Sequence, residues 1–212
     1  MTQPLYLSGI DAVVTEVLSC EQSADGLFEI QLVHTPFYPQ GGGQPSDLGT
    51  INNVPVMQVK MNGKNIIHYC ATEVALGTAC VAIDKDRRNY HSRLHSAGHL
   101  IAHIMQSLGW TPIKAQHWPN DSKIQVSSGL DTQNIDLESL EKMCNEYIQK
   151  GWITYISENK EGYREVGFGH LGTFPCGGTH VKNLAEIIHI AITDMKVKKG
   201  VLNIKYLVSE EH

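Results

Sequence analysis

Two short segments hold the residues best suited to chemistry: His95-Ser96-Ala97-Gly98-His99 and, far downstream, Cys176-Gly177-Gly178-Thr179-His180. Each sets two metal ligands four residues apart. The first lies in a stretch with helical periodicity, where that spacing puts both imidazoles on one face. The second lies in a glycine-rich turn, whose backbone can fold tightly enough to bring a thiolate beside an imidazole. Three imidazoles and one thiolate form a tetrahedral zinc set. Read alone, HxxxH is also common on amphipathic helices, and a free cysteine is more often a small buried hydrophobe. Each pair strengthens the other.

His91, His95, His99 and His103 continue the step of four. Each step drifts about 40° around a helix of 3.6 residues per turn, so all four cannot face one ion. His91 and His103 are therefore assigned to the core or to the outer surroundings of the site.

The elements that must position these residues fall into two groups. Residues 1–85 read as short strands: Ala12 to Leu18, Leu27 to Val33, Val54 to Met61, Asn65 to Tyr69 and Thr78 to Ile83. Asp25-Gly26, Asn52-Asn53, Asn62-Gly63 and Gly77 separate them as turns, a pattern of a small β-barrel or sandwich. Residues 86–212 read as α+β. One helix starts near Arg87 with Asp86 as its N-cap and stops at Gly109; a second runs from Asp136 to Gln149 before Gly151. Strands are predicted at Lys123 to Ser127, Trp152 to Ser157, Ile187 to Thr193 and Val201 to Val208, the last two joined by Lys198-Lys199-Gly200.

The loop Phe37-Tyr38-Pro39-Gln40-Gly41-Gly42-Gly43-Gln44-Pro45-Ser46-Asp47-Leu48-Gly49 is the third distinctive segment. No Gly-Lys-Ser/Thr follows it and it opens no helix, which excludes the common nucleotide-binding loops. It is either a plain hairpin loop or a place where another molecule approaches exposed backbone amides.

The 212 residues carry a formal net charge of −5. Residues 1–90 hold five Lys/Arg against nine Asp/Glu, and the remainder twelve against thirteen. Bulk attraction to nucleic acid is absent, so any such contact needs a local patch. Arg87, Arg88 and Arg93 form one candidate; Lys196, Lys198 and Lys199 form another. The five scattered cysteines, Cys20, Cys70, Cys80, Cys144 and Cys176, contain no CxxC and point to reduced thiols in a cytoplasmic protein. No apolar run is long enough to span a bilayer.

Taken together, the GGGQP loop, Asp86-Arg87-Arg88, His95-x-x-x-His99-Leu100 and Cys176-Gly-Gly-Thr-His180-Val181 resemble the alanyl-tRNA editing proteins (AlaX type). These are free-standing relatives of the alanyl-tRNA synthetase editing domain. The resemblance covers nearly the whole chain. It implies an α+β protein in which a small N-terminal β-barrel precedes a zinc-binding editing domain. It also implies zinc held by His95, His99, Cys176 and His180, a pocket lined by Gly41, Gly42, Gly43 and Gln44, and catalytic roles for Gln44 and Cys176. The partner it implies is the acceptor end of alanine tRNA carrying serine or glycine, with no membrane and no DNA. The reaction it implies is hydrolysis of the wrong ester in trans. A metalloprotease would need Glu where Ser96 stands, and a nucleobase deaminase would need a second cysteine after Cys176. Two rivals stay open: threonine-type editing, and an RNA-binding module with a structural zinc.

Overall fold

A computed structural model describes residues 2–209. Contacts group the chain into two compact units. The first takes the residues up to Gly41 together with Pro45–Asn89; the second takes Gly42–Gln44 together with the residues from Tyr90 onward.

In the first unit the strands are β1 (Gln3–Pro4), β2 (Ala12–Gln22), β3 (Phe28–Leu32), β4 (His34–Thr35), β5 (Gly49–Ile51), β6 (Val54–Asn62), β7 (Asn65–Cys70) and β8 (Gly77–Ile83). Six of them close a barrel in the order β2-β3-β7-β6-β5-β8, while β1 and β4 pair in parallel. Alternation builds it: Thr15 and Val17 of β2 point inward, whereas Val14 stays exposed. Val17, Ile30, Leu32, Ile51, Val59, Ile66 and Val81 fill the interior. Register shifts at Val17/Ser19 and Val56/Gln58 supply the bends that closure requires. The strand β5 escapes sequence reading because it is only three residues long. Its turn does not: Asn52 and Asn53, at φ 49° and 67°, make the mirror-image hairpin turn that asparagine tolerates.

The helix α1 (Lys85–Ser107) follows. Its first-turn acceptor is Asp84, which takes the Arg87 N–H at 3.0 Å, rather than Asp86, which already lies inside the helix. From His91 to Leu100 every residue is buried. A helix without a wet face must find partners for its polar side chains inside the protein.

In the second unit, β9 (Trp110–Gln116), β10 (Lys123–Ser128), β14 (Ile190–Lys198) and β15 (Val201–Val208) form an antiparallel sheet in the order β14-β15-β10-β9. β9 is an edge strand, the place in a sheet that tolerates Pro112, and like β5 and the strands at Arg164–Phe168 and Thr173–Pro175 it lies outside the strands predicted from the sequence. Leu94, Leu100, Ile101, Ile104 and Met105 of α1 share one core with Ile124, Val126, Leu202 and Ile204. The helix α2 (Leu137–Lys150) adds Leu140, Cys144 and Ile148; Asp136 caps its start and left-handed Gly151 its end. A three-stranded sheet of β11 (Thr154–Glu158), β12 (Arg164–Phe168) and β13 (Thr173–Pro175) delivers the chain to Cys176. The region predicted as strand from Ile187 begins later, because Leu184–Ile187 form a short 3-10 turn. The chain is thus α+β and includes a six-stranded barrel.

Candidate metal centre

The four donors meet. One ligand atom from each of His95, His99, Cys176 and His180 lies within 4.8 Å of the others. Helix α1 supplies the first two on one face, with ring centroids 5.1 Å apart. The turn after β13 supplies the other two, with Cys176 Sγ 3.2 Å from His180 Nε2 and 3.4 Å from His95 Nε2. The Gly178 N–H points at Cys176 Sγ from 3.3 Å. No side chain fits at Gly178: a Cβ there would overlap the His95 ring and approach Gln44 Oε1 to 3.0 Å.

Outer hydrogen bonds orient two of the imidazoles. His95 Nδ1 lies 2.7 Å from Gln44 Oε1, a carbonyl oxygen that can only accept, so the ring proton sits on Nδ1 and Nε2 faces the sulfur with a lone pair. Gln44 is fully buried and makes three hydrogen bonds. Its Oε1 also accepts the Thr179 N–H at 3.1 Å, and its Nε2 donates to Thr179 Oγ1 at 2.9 Å. The Ser92 hydroxyl donates to the same Thr179 oxygen. His180 is held in a similar way, with its Nδ1 3.1 Å from Ser96 Oγ, which also accepts the Val181 N–H. His99 Nδ1 is buried and has no hydrogen-bond partner among the described residues.

Burial is the leading cause that pushes the His95, His99 and His180 pKa values well below the ordinary imidazole range, and neighbouring rings add to it. The same burial raises the Cys176 thiol. Three neutral imidazoles and a half-buried thiol fit a divalent cation, because a cation reverses the penalty on the thiolate and uses lone pairs that nothing else claims. No carboxylate belongs to the group among the described residues.

Sequence reading did not find several supporting residues. His117 stacks on His95 at 4.1 Å. Arg164 donates to the carbonyls of Cys176 and Gly178, and so ties down the turn that carries the thiol. His103 stacks on Phe174 at 4.1 Å, outside the donor group. The arginines considered for phosphate contacts are all engaged within the protein, and half-buried Arg87 donates from Nε to the Ser46 carbonyl at 3.4 Å. Arg88, 7% exposed, pairs with Asp47 and donates to the Pro36 carbonyl at 2.7 Å. Arg93, 6% exposed, donates to the carbonyls of Ile187 and Ser209. Lys196, Lys198 and Lys199 are exposed, and Lys196 pairs with Asp194. The glycine loop is divided: Gly41 and Gly42 are exposed, Gly43 is half-buried and Gln44 is buried.

Fold and donor set together define an α+β protein with a His3Cys metal-type centre. No protein-family model matches the chain. Among curated proteins, it is 31% identical over 233 residues to "Alanyl-tRNA editing protein Aarsd1-A" of Xenopus laevis, covering 93% of this chain and 56% of that one. It is 30% identical over 203 residues to "Alanyl-tRNA editing protein AlaX-M" of Pyrococcus horikoshii, covering 90% and 89%. It is 27% identical over 225 residues to "Alanine--tRNA ligase" of Halobacterium salinarum, covering 92% and 24%. The chain belongs to the alanyl-tRNA editing protein family. It spans about half the length of the Xenopus relatives. Among the described residues no helix is long and apolar enough to cross a membrane.

Proposed function

We propose that the chain is a cytoplasmic aminoacyl-tRNA deacylase. It hydrolyses, in trans, the ester of serine or glycine wrongly attached to the acceptor end of alanine tRNA. A synthetic pocket sized for alanine rejects neither well, since one is smaller by a methyl and the other adds only a hydroxyl. The observation that carries this reading is the four-donor cluster, found in a chain that is 30% identical to AlaX-M over nearly all of both proteins.

In the reaction, water adds to the acyl carbon, the bond to the ribose oxygen breaks, and that oxygen leaves as the tRNA hydroxyl with a proton from the water. His95, His99, Cys176 and His180 would hold zinc, which supplies Lewis acidity toward a carbonyl and toward water. The chain's own groups do the rest. Burial keeps the imidazoles neutral and ready to bind. Cys176 carries the negative charge of the donor set, eased by the Gly178 N–H. Gln44 acts through His95 as a positioning residue, fixing the tautomer that turns Nε2 toward the donor set. Gly41 and Gly42, exposed on the loop, offer backbone to the incoming acceptor end, and Gly43 holds the wall beside the centre.

The test is a deacylation assay on seryl-, glycyl- and alanyl-tRNA bearing the alanine acceptor stem, with and without a zinc chelator. Seryl or glycyl ester should disappear and alanyl ester persist, and chelation should stop the reaction. Activity only on threonine tRNA would assign threonine-type editing, and binding without hydrolysis would assign a non-enzymatic RNA module.

A further inference from the structure

We propose that His117 reads the aminoacyl group: its Nε2 receives a hydrogen-bond donor from the substrate. A cavity of about 170 Å³ lies beside the metal centre, with His99 on its wall. Gly98, Ala102 and Ala115 keep it open on the protein side, Phe174 and Ile124 make it apolar, and His117 is its other imidazole. A small, mostly apolar chamber whose polar side chains are His99, His117 and Lys114 suits a small amino acid rather than a nucleobase.

Three contacts hold His117. Its backbone N–H donates to the Gly43 carbonyl at 2.8 Å, so the glycine loop sets the residue's position. Gly43 can lie there because it has no side chain; a Cβ would come within 2.7 Å of the Ala115 carbonyl oxygen. The ring stacks on His95 with 22° between planes. Its Nδ1 lies 2.7 Å from the Tyr206 hydroxyl. That hydroxyl spends its only proton on the Leu94 carbonyl at 3.0 Å, so it must accept from His117 Nδ1–H. The lone pair therefore sits on Nε2, which has no hydrogen-bond partner among the described residues. His117 lines the cavity, so this lone pair is an acceptor that the chamber offers to an incoming donor. Two donors on a seryl ester could serve, the α-ammonium and the side-chain hydroxyl; a glycyl ester has only the first.

This assignment rests on the deacylase reading. It is tested by calorimetric titration with non-hydrolysable 3′-seryl- and 3′-glycylamido-3′-deoxyadenosine against wild type, His117→Phe and His117→Gln. Phe keeps the stacking plane and loses the acceptor, whereas Gln restores an acceptor near the Nε2 position. His117→Phe should weaken binding about tenfold, the scale of one hydrogen bond, and Gln should recover part of the loss. A loss on both analogues assigns the ammonium, and a loss on the seryl analogue alone assigns the hydroxyl. Equal binding by His117→Phe and wild type overturns the role of His117 and leaves the deacylase reading standing. A wild type that binds neither analogue and hydrolyses no ester overturns both. Should His117→Phe not fold, Ala102→Val fills the cavity without touching the imidazole. It must weaken both analogues, and unchanged binding there overturns the placement of the aminoacyl group.

Discussion

Gln44 Oε1 lies 2.7 Å from His95 Nδ1, a hydrogen bond between residues 51 apart in the chain. It makes the glutamine of the glycine loop the setting screw of the first imidazole in the donor cluster. The same oxygen takes the Thr179 N–H, so one side chain fixes both ligand-bearing segments.

Gln44→Leu should therefore weaken metal binding and lower stability together. Losing an outer partner of a histidine ligand lowers metal affinity roughly 10- to 100-fold. The stranded Thr179 N–H and His95 N–H should cost about 1–3 kcal/mol each in stability. Chelator competition and thermal melting on one preparation read the two effects separately. Wild-type metal affinity in this variant would remove Gln44 from the site.

Cys176→Ala and Cys144→Ala should part company. Cys144, fully buried on the apolar face of α2, should cost on the order of 1 kcal/mol in packing and leave zinc content unchanged. Cys176→Ala should lose both zinc and deacylation. Metal analysis with activity decides it; equal loss in the two variants contradicts the donor set.

Stability should fall with acid through His68. Burial in the barrel lowers its pKa from 6.5 to about 4. Its Nδ1–H donates to the Ile30 carbonyl and its Nε2 accepts from Thr35. Below about pH 6.5 the unfolded chain takes up a proton that the folded imidazole refuses. The stabilisation is thus complete above that pH and lost progressively toward pH 4, by roughly 3 kcal/mol in all. Urea midpoints at pH 7.5 and 5.0 should differ, and the difference should shrink in His68→Asn. Identical midpoints for wild type would refute the argument.

Arg88 and Lys198 should respond in opposite ways. Arg88→Met strands the buried Asp47 carboxylate and should cost about 3–5 kcal/mol. Lys198→Ala should leave stability alone. If the hairpin touches tRNA phosphate, that variant flattens the dependence of log affinity on log salt by about 0.7–0.9. An unchanged slope moves the RNA path away from the hairpin.

What was legible in the sequence was what is local. His95 and His99 are one helical turn apart, Cys176 and His180 share one turn, and Asp136 with Gly151 brackets α2, so spacing alone exposes them. The Asn52-Asn53 turn was equally plain. What stayed hidden depends on meetings across long separations: Gln44 with Thr179 over 135 residues, Ser96 with His180 over 84, His117 with Tyr206 over 89. The capture of Arg88 and Arg93 was hidden for the same reason. A charge near the start of a helix reads as exposed until the carboxylate or carbonyl that captures it is known. Strand β9 was missed because Pro112 argues against a strand everywhere except at an edge.

Gly42–Gln44 belong by their contacts with the residues from Tyr90 onward, although the chain on both sides of them belongs to the barrel unit. The donor-bearing unit is consequently not an excisable module. A fragment cut to start at Tyr90 would inherit all four donors yet lack the glutamine that fixes His95 and the glycine that seats His117. Recombination that swaps barrels between relatives would likewise exchange part of the chemistry along with the scaffold.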